Sequence, residues 1–585
     1  MLTLAHIGKT GLDDWALVLG PVVVFFLIVA VLMRPRAGDR SPIAAAAHGL
    51  ERITGLPGWV AGTVGTAAGG LVLAMLGFYW DVAWHIDKGR DTVLFTPPHT
   101  LILLGLGSIL LAAGVAIALA SATNLETKLR VGPFRIPWSA VLLAVIGGGA
   151  VTGFPLDDMW HGAYGIDVTM WGPTHLIMIG GASVATVAQW FVLAEGGVRP
   201  VRGTNGFRAH AIVAGASLAG LSALQGEFDF GVPQFQLLYH PVLIMVVAGI
   251  GLVAARIVLG RFGALRAAIG FIALRGLVAL FVAGWGYTEP HFTLYLAPAI
   301  AVELAAWLLG TERLGRFAVG AGIGISTIGL AGEWAWTHVW QRIPWGASLL
   351  PEAIWVSMIA AVAASLLGAA YGTILSGKRL DFATFGVPKR AFAAVLVGAL
   401  LALGAALALP IKRVPSDVVA DMKLQKAGNL AWVDLTLRPA DAVDNAHWFQ
   451  AMSWQGGTLA AYDFDRVGPG HYRSKGPVPI GGNAKALVRL HRGAEMSAVP
   501  IRFPADPEIG AEAIPAVDRT AKFERDSRLL MREAKPGEPT TARIIFSFLA
   551  AIVLVWLVTL ALTGWGIVTR RPRPSRVETM QPAAA

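Results

Sequence analysis

Thirteen apolar runs, each about the twenty residues a helix needs to cross the hydrocarbon core of a bilayer, dominate this chain. They fall near 15–33, 58–80, 97–121, 138–156, 173–194, 209–226, 235–259, 264–287, 291–310, 317–340, 349–376, 391–410 and 544–569. With 55% hydrophobic residues, 14% charged residues and a mean hydropathy of +0.61, the chain has too little polar surface to cover itself in water. Lipid is its expected solvent, and the bilayer its first partner. The first run is too long, and too poor in a small-residue cleavage site, for a removable signal peptide, so it is expected to remain a span. The fold class read from these features is an all-α polytopic membrane protein of repeated helical hairpins. A β-sandwich-like extracytoplasmic domain precedes its last helix.

Orientation follows from the basic residues. One set of alternating loops, together with the C-terminal tail, holds 22 Lys and Arg; the opposite short loops hold four, namely Lys9, Lys88, Arg90 and Arg342. The positive-inside rule puts the N-terminus outside a bacterial-type plasma membrane and the tail in the cytoplasm. It also accounts for the net charge of +10 without nucleic acid. No phosphate-binding Gly-Lys-Ser/Thr loop occurs, so a nucleotide partner is not expected either. Three units follow: a twelve-helix domain (1–410), an extracytoplasmic domain (411–542), and a final helix with a basic tail (543–585).

The stretch 411–542 alternates short apolar pieces, such as Leu430-Ala-Trp-Val-Asp-Leu-Thr-Leu and Ala486-Leu-Val-Arg-Leu, with Gly/Pro/Asp turns. Its segment Gly468-Pro-Gly-His-Tyr-Arg, followed by Pro477 and Gly481, resembles the second half of FixH-like and YtkA-like extracytoplasmic domains. That resemblance covers about a fifth of the chain and implies a setting of copper or cytochrome-oxidase biology. His447, His471 and His491 in this stretch are scattered and read as surface residues.

An ungapped internal repeat carries the chemistry. Residues 78–105 and 154–181, offset by 76, agree at 9 of 28 positions. The matches are Phe78/Phe154, Asp81/Asp157, Trp84/Trp160, His85/His161, Gly89/Gly165, Asp91/Asp167, Pro97/Pro173, His99/His175 and Gly105/Gly181. Most are residue types that make sites and turns. Asp81 and His85 share one helix face at the end of a span. His99, just after Pro97, falls in the first turn of the returning span. Two imidazoles and a carboxylate suit iron, copper or zinc, and the absence of cysteine removes thiolate alternatives. The expected metal ligands are therefore Asp81, His85, His99 and Asp157, His161, His175, with copper or iron ahead of zinc. Asp91, Asp167, Trp84 and Trp160 are expected to support them from behind. Haem held by imidazoles of neighbouring spans stays open.

The spacing Asp81-x3-His85, then His99, resembles the copper-binding stretch in the C subunit of the particulate methane and ammonia monooxygenases. That resemblance implies a copper centre at helix ends; here the last gap is one residue longer and the motif is doubled. A metal-dependent membrane oxidoreductase, or metal handling, is the leading reading. Two others remain: a solute or proton-coupled transporter, and an assembly factor whose outer domain binds a membrane or extracytoplasmic protein. Helix capping by the Asp residues and interfacial anchoring by the Trp residues would explain the same positions without any ligand. Deeper in the membrane, Arg275 and Glu303 on adjacent spans are expected to pair.

Overall fold

The computed structural model describes residues 41–90, 95–165, 169–408, 414–535 and 537–569, together with Val23 and Leu27. After a short helix α1 (Pro42–Thr54) come the membrane helices. Eleven described helices are long and apolar enough to span: α2 (Gly58–Asp87), α3 (Pro97–Ala122), α4 (Trp138–Tyr164), α5 (Pro173–Glu195), α6 (Asn205–Phe230), α7 (Tyr239–Leu259), α8 (Gly263–Gly284), α10 (Leu314–Val339), α11 (Ala347–Leu375), α12 (Lys389–Ala408) and α13 (Pro539–Val568). Between α8 and α10 lies the shorter apolar helix α9 (Leu296–Leu309). The chain is thus a helical membrane protein carrying a β domain. Apart from Val23 and Leu27, the run expected at 15–33 lies outside the described residues.

The run expected at 291–310 differs from a full span. Only its last fourteen residues are helical, about 21 Å at 1.5 Å per residue, against a hydrocarbon core of about 30 Å. Residues 288–295 are irregular, with Thr288, Phe292, Thr293 and Tyr295 buried. Buried non-helical backbone needs partners, and Glu333 of α10 supplies them by accepting from the amides of Leu294 (3.3 Å) and Tyr295 (2.6 Å).

The two repeat copies are the antiparallel hairpins α2–α3 and α4–α5. Each opens its returning helix with proline at the first turn, where no amide hydrogen is needed. The repeated glycines Gly105 and Gly181 explain how the hairpins close. A Cβ on either would stand 2.5 Å from the Cβ of Ala74 or Ala150, which are themselves equivalent positions in the repeat. Only glycine lets these backbones approach so closely. The final helix α13 packs on α4 and α5, where Trp556 Nε1 donates to the Val145 carbonyl (3.2 Å).

A small hairpin, β1 (Leu129–Val131) with β2 (Phe134–Ile136), joins α3 to α4. The β domain holds β3 (Val419–Ala427), β4 (Leu430–Arg438), β5 (Trp448–Trp454), β6 (Ala460–Gly468), β7 (His471–Ser474), β8 (Val478–Pro479), β9 (Lys485–Arg492), β10 (Glu495–Arg502), β11 (Arg519–Lys522) and β12 (Glu524–Arg525). They form one continuous sheet in the order β11-β3-β4-β7-β6-β5-β9-β10-β12, with β8 beside β4. Only Phe523 separates β11 from β12, which pair with opposite ends of the path, so one segment nearly closes the sheet. Phe523 points into the enclosed core with Val433, Leu435, Val488 and Val499.

One histidine of this domain is not where the sequence reading puts it. His471 is exposed and His447 half-buried, but His491 is buried, 3.1 Å from Asp526. Arg489 Nη2 also meets Asp526, at 2.5 Å, and donates to the Pro233 carbonyl of the helical domain (2.7 Å). The outer face of β9 is therefore covered rather than solvated. Burial pushes the His491 imidazole down to about 4, against the pull of Asp526. Burial alone would raise the Asp526 carboxyl, but Arg489 and His491 hold it below the ordinary carboxylate range. A histidine kept neutral by the fold contributes stability above its unfolded value near 6.5 and loses it as pH falls toward 4. The thermal midpoint of the purified protein should therefore decline from pH 6.5 to pH 4, and His491→Asn should flatten that decline. A midpoint that rises on acidification in this window would refute the assignment.

Candidate metal centre

Both copies of the repeat close into the same arrangement. In the first, Asp81 and His85 lie one turn apart near the end of α2, and His99 occupies the first turn of α3 beneath its Thr96 cap. Asp81 Oδ1 stands 3.2 Å from His99 Nε2 and 3.6 Å from His85 Nε2. In the second, Asp157 Oδ2 stands 3.3 Å from His161 Nε2, and Asp157 Oδ1 3.4 Å from His175 Nε2. Within each group, one ligand atom from each residue lies within 4.8 Å of the others.

The other ring nitrogens decide what these distances mean. His85 Nδ1 lies 3.0 Å from the Gly89 carbonyl, His161 Nδ1 3.2 Å from the Gly165 carbonyl, and His175 Nδ1 2.7 Å from the Thr169 carbonyl. A carbonyl can only accept, so each Nδ1 carries the hydrogen and donates. In the neutral ring, the Nε2 lone pair then faces the aspartate. Acceptors opposed in this way repel unless a cation stands between them. Ring protonation is one source; a single metal ion answers all three groups at once.

The two sites are not equal. Thr174 Oγ1 donates to Asp157 Oδ1 at 2.6 Å, whereas the equivalent position in the first copy is Pro98. Asp81 Oδ1 is buried without a hydrogen bond. The second site has a further support: Glu227 accepts from Thr169 Oγ1 (3.0 Å) and from the amides of Met170 (3.1 Å) and Gln234 (2.8 Å). It thereby fixes the loop whose Thr169 carbonyl holds His175. Sequence analysis gave Glu227 no role in the site. Gly89 and Gly165 were visible as repeat identities, four residues after each helical histidine, without being recognised as the acceptors.

Two expectations change. The groups that orient the imidazoles are these backbone carbonyls rather than Trp84 and Trp160. Trp84 stacks on Tyr287 with centroids 5.9 Å apart, and Lys88 Nζ lies 4.0 Å over its ring. Trp160 packs on Tyr164 at 4.3 Å and on Phe546 at 6.2 Å. Asp91 and Asp167 lie outside the described residues. Arg275 and Glu303 do not pair: Arg275 Nη2 meets Asp229 Oδ2 at 2.6 Å, and Glu303 meets Arg256 at 3.0 Å. Glu303 also caps α8, accepting from the amides of Phe262 and Ala264, both at 3.0 Å. The irregular stretch 288–295 shifts the register of α9, so Glu303 sits at the start of α8 while Arg275 lies twelve residues further along that helix.

Both triads line one cavity of about 1220 Å³, bounded by α2 to α6 and α8 and covered by the β domain. Arg90, found only in the first copy, ties the cover down through Asp506 (2.7 and 2.8 Å) and Glu508 (2.7 Å). The Gln455 amide donates to the Ile86 carbonyl (2.9 Å), and the Lys535 amide to the Tyr164 carbonyl (2.6 Å). The cover therefore touches both hairpins directly beside their sites. Compared with family models, curated proteins and solved structures, the chain matches none.

Proposed function

We propose that this chain is a membrane metalloprotein with two His₂Asp sites for copper or iron, serving redox chemistry or metal handling on the extracytoplasmic side. One observation carries the reading: the duplicated motif folds twice into a carboxylate opposed to two imidazole Nε2 atoms, and the Nδ1 atoms of His85, His161 and His175 are already committed to carbonyls. Asp81, His85 and His99 would hold one ion; Asp157, His161 and His175 the other. Their three donors leave coordination positions open toward the cavity, where a bound ion would supply Lewis acidity or electron transfer. The carbonyls of Gly89, Gly165 and Thr169 keep the rings in the ligating tautomer. The β domain and the apolar walls limit bulk water. The asymmetry of basic loops favours this end of the bundle as the extracytoplasmic one.

The test is elemental analysis and optical spectroscopy of the purified protein, His85→Ala, His161→Ala and the double variant. Wild type should carry two ions per chain, each single variant one, and the double variant none. Folded wild type that takes up neither copper nor iron would overturn the reading.

A further inference from the structure

The cavity does not end at the triads. It descends between the helices, and several of its apolar lining residues are also among the exposed ones. Val72 of α2 is 41% exposed, Ile212 of α6 67% and Leu277 of α8 49%. Exposure of that extent on three helices of its wall leaves the cavity open between them. Near the far end lies Gln189 of α5, 1% exposed, whose Oε1 has no hydrogen-bond partner. Gln189 follows His175 by fourteen residues, close to four helical turns, so both lie on one face of α5, about 21 Å apart. Between them Ser183 and Thr186 also line the cavity. Their hydroxyls are committed to the Gly220 carbonyl (2.7 Å) and the Ser183 carbonyl (2.6 Å) respectively. The shaft below the triads is therefore apolar, and its end holds one carboxamide whose oxygen is unpaired.

We propose that this shaft is a binding site entered sideways from the bilayer between α2, α6 and α8, and that it takes an uncharged long-chain amphiphile with a hydroxyl end. The hydroxyl pairs with the Gln189 carboxamide, because a buried polar group left unpaired is costly. A charged end is excluded at this depth by its desolvation. The apolar body lies along α5 and brings the other end beneath the triads. Binding itself does not depend on metal, although the molecule's use as a substrate rests on the reading above.

The experiment uses hexadecanol bearing a photoreactive diazirine, with the full-length protein in lipid nanodiscs and labelled residues mapped by mass spectrometry. Labelling should concentrate on cavity residues such as Met75 and Met178, and unlabelled hexadecanol should compete. Ala273→Trp, at an exposed position on the cavity wall of α8, should abolish cavity labelling. Gln189→Leu and Gln189→Met should each weaken it by about tenfold, the effect of one lost hydrogen bond at the strong end of the ordinary range. Trp307→Ala, on the lipid-facing side of α9, should change nothing. Labelling spread evenly over lipid-facing helices, or unaltered by Ala273→Trp, would overturn the proposal. Metal content measured on the same samples separates the two readings: metal without cavity labelling removes only this one, and cavity labelling without metal removes only the other.

Discussion

Arg275→Ala should cost about 3–5 kcal/mol of folding stability, the range for breaking a buried ion pair by deleting one partner. Arg275 and Asp229 are 1% and 3% exposed and meet at 2.6 Å in the interior of the helical domain. The guanidinium also lies 3.7 Å over the Tyr79 ring, and the Tyr79 hydroxyl donates to Asp229 Oδ2 at 3.4 Å. Deleting either charge strands the other in a place that water does not reach. The pair is nonetheless imperfectly satisfied, since Arg275 Nε and Nη1 and Asp229 Oδ1 have no partners. Removing both charges with side chains of similar bulk, as Arg275→Met with Asp229→Leu, should therefore recover most of the loss. Reversible unfolding in mixed micelles would measure all three variants. A double variant as unstable as the worse single one would show that the pair does more than neutralise itself.

Gly165→Ala should have the next largest effect, and a selective one. Gly165 has φ 79° and ψ 173°, a region that essentially only glycine occupies, and a Cβ there would lie 2.0 Å from the Glu533 carbonyl oxygen. Backbone strain alone amounts to about 1–3 kcal/mol, and the clash is with main chain that cannot swing aside. Relief requires the α4–α5 turn to move, which withdraws the carbonyl that holds His161, or the segment around Glu533 to lift. On the proposed metal reading, the content should fall from two ions to one. Segment 533–538 should become more sensitive to protease. Gly89→Ala is the control: its φ of 98° is also left-handed, but its Cβ would meet only the side-chain amide of Gln455 at 3.0–3.2 Å, which can rotate. Equal losses in the two variants would show that the left-handed backbone strain they share, rather than the clash at Glu533, sets the effect.

Much of the architecture was legible because it follows from local patterns. Apolar runs of bilayer length announce spans, and an Asp-x3-His pair followed by a histidine just after proline announces its own geometry. The repeat added a second, independent copy of that statement. Partners distant in sequence were not legible. Matching depth on neighbouring spans favoured Glu303 for Arg275, yet the irregular stretch 288–295 shifted that comparison by several residues. Arg90 and Asp506 are 416 positions apart, and nothing local links them. His491 looked like a surface residue because alternation along a strand cannot reveal that both faces of β9 are covered. The ring-orienting acceptors were hidden for another reason: they are backbone carbonyls, which every residue possesses, and only the turn decides which one is presented.

The β domain's place in the chain has a consequence for biogenesis. Both sets of ligands exist once His175 has been synthesised, but the β-domain residues that cover the cavity begin only at Met452, 277 positions on. At the usual 5–20 residues per second this leaves an interval of roughly 15–60 s in which the triads can assemble with nothing above them. On the metal reading proposed above, a hydrated ion would meet an open mouth during that window and a docked lid afterwards. Filling of the sites would thereby be tied to the birth of each molecule, and a chain completed in metal-poor surroundings would carry that history after the surroundings change.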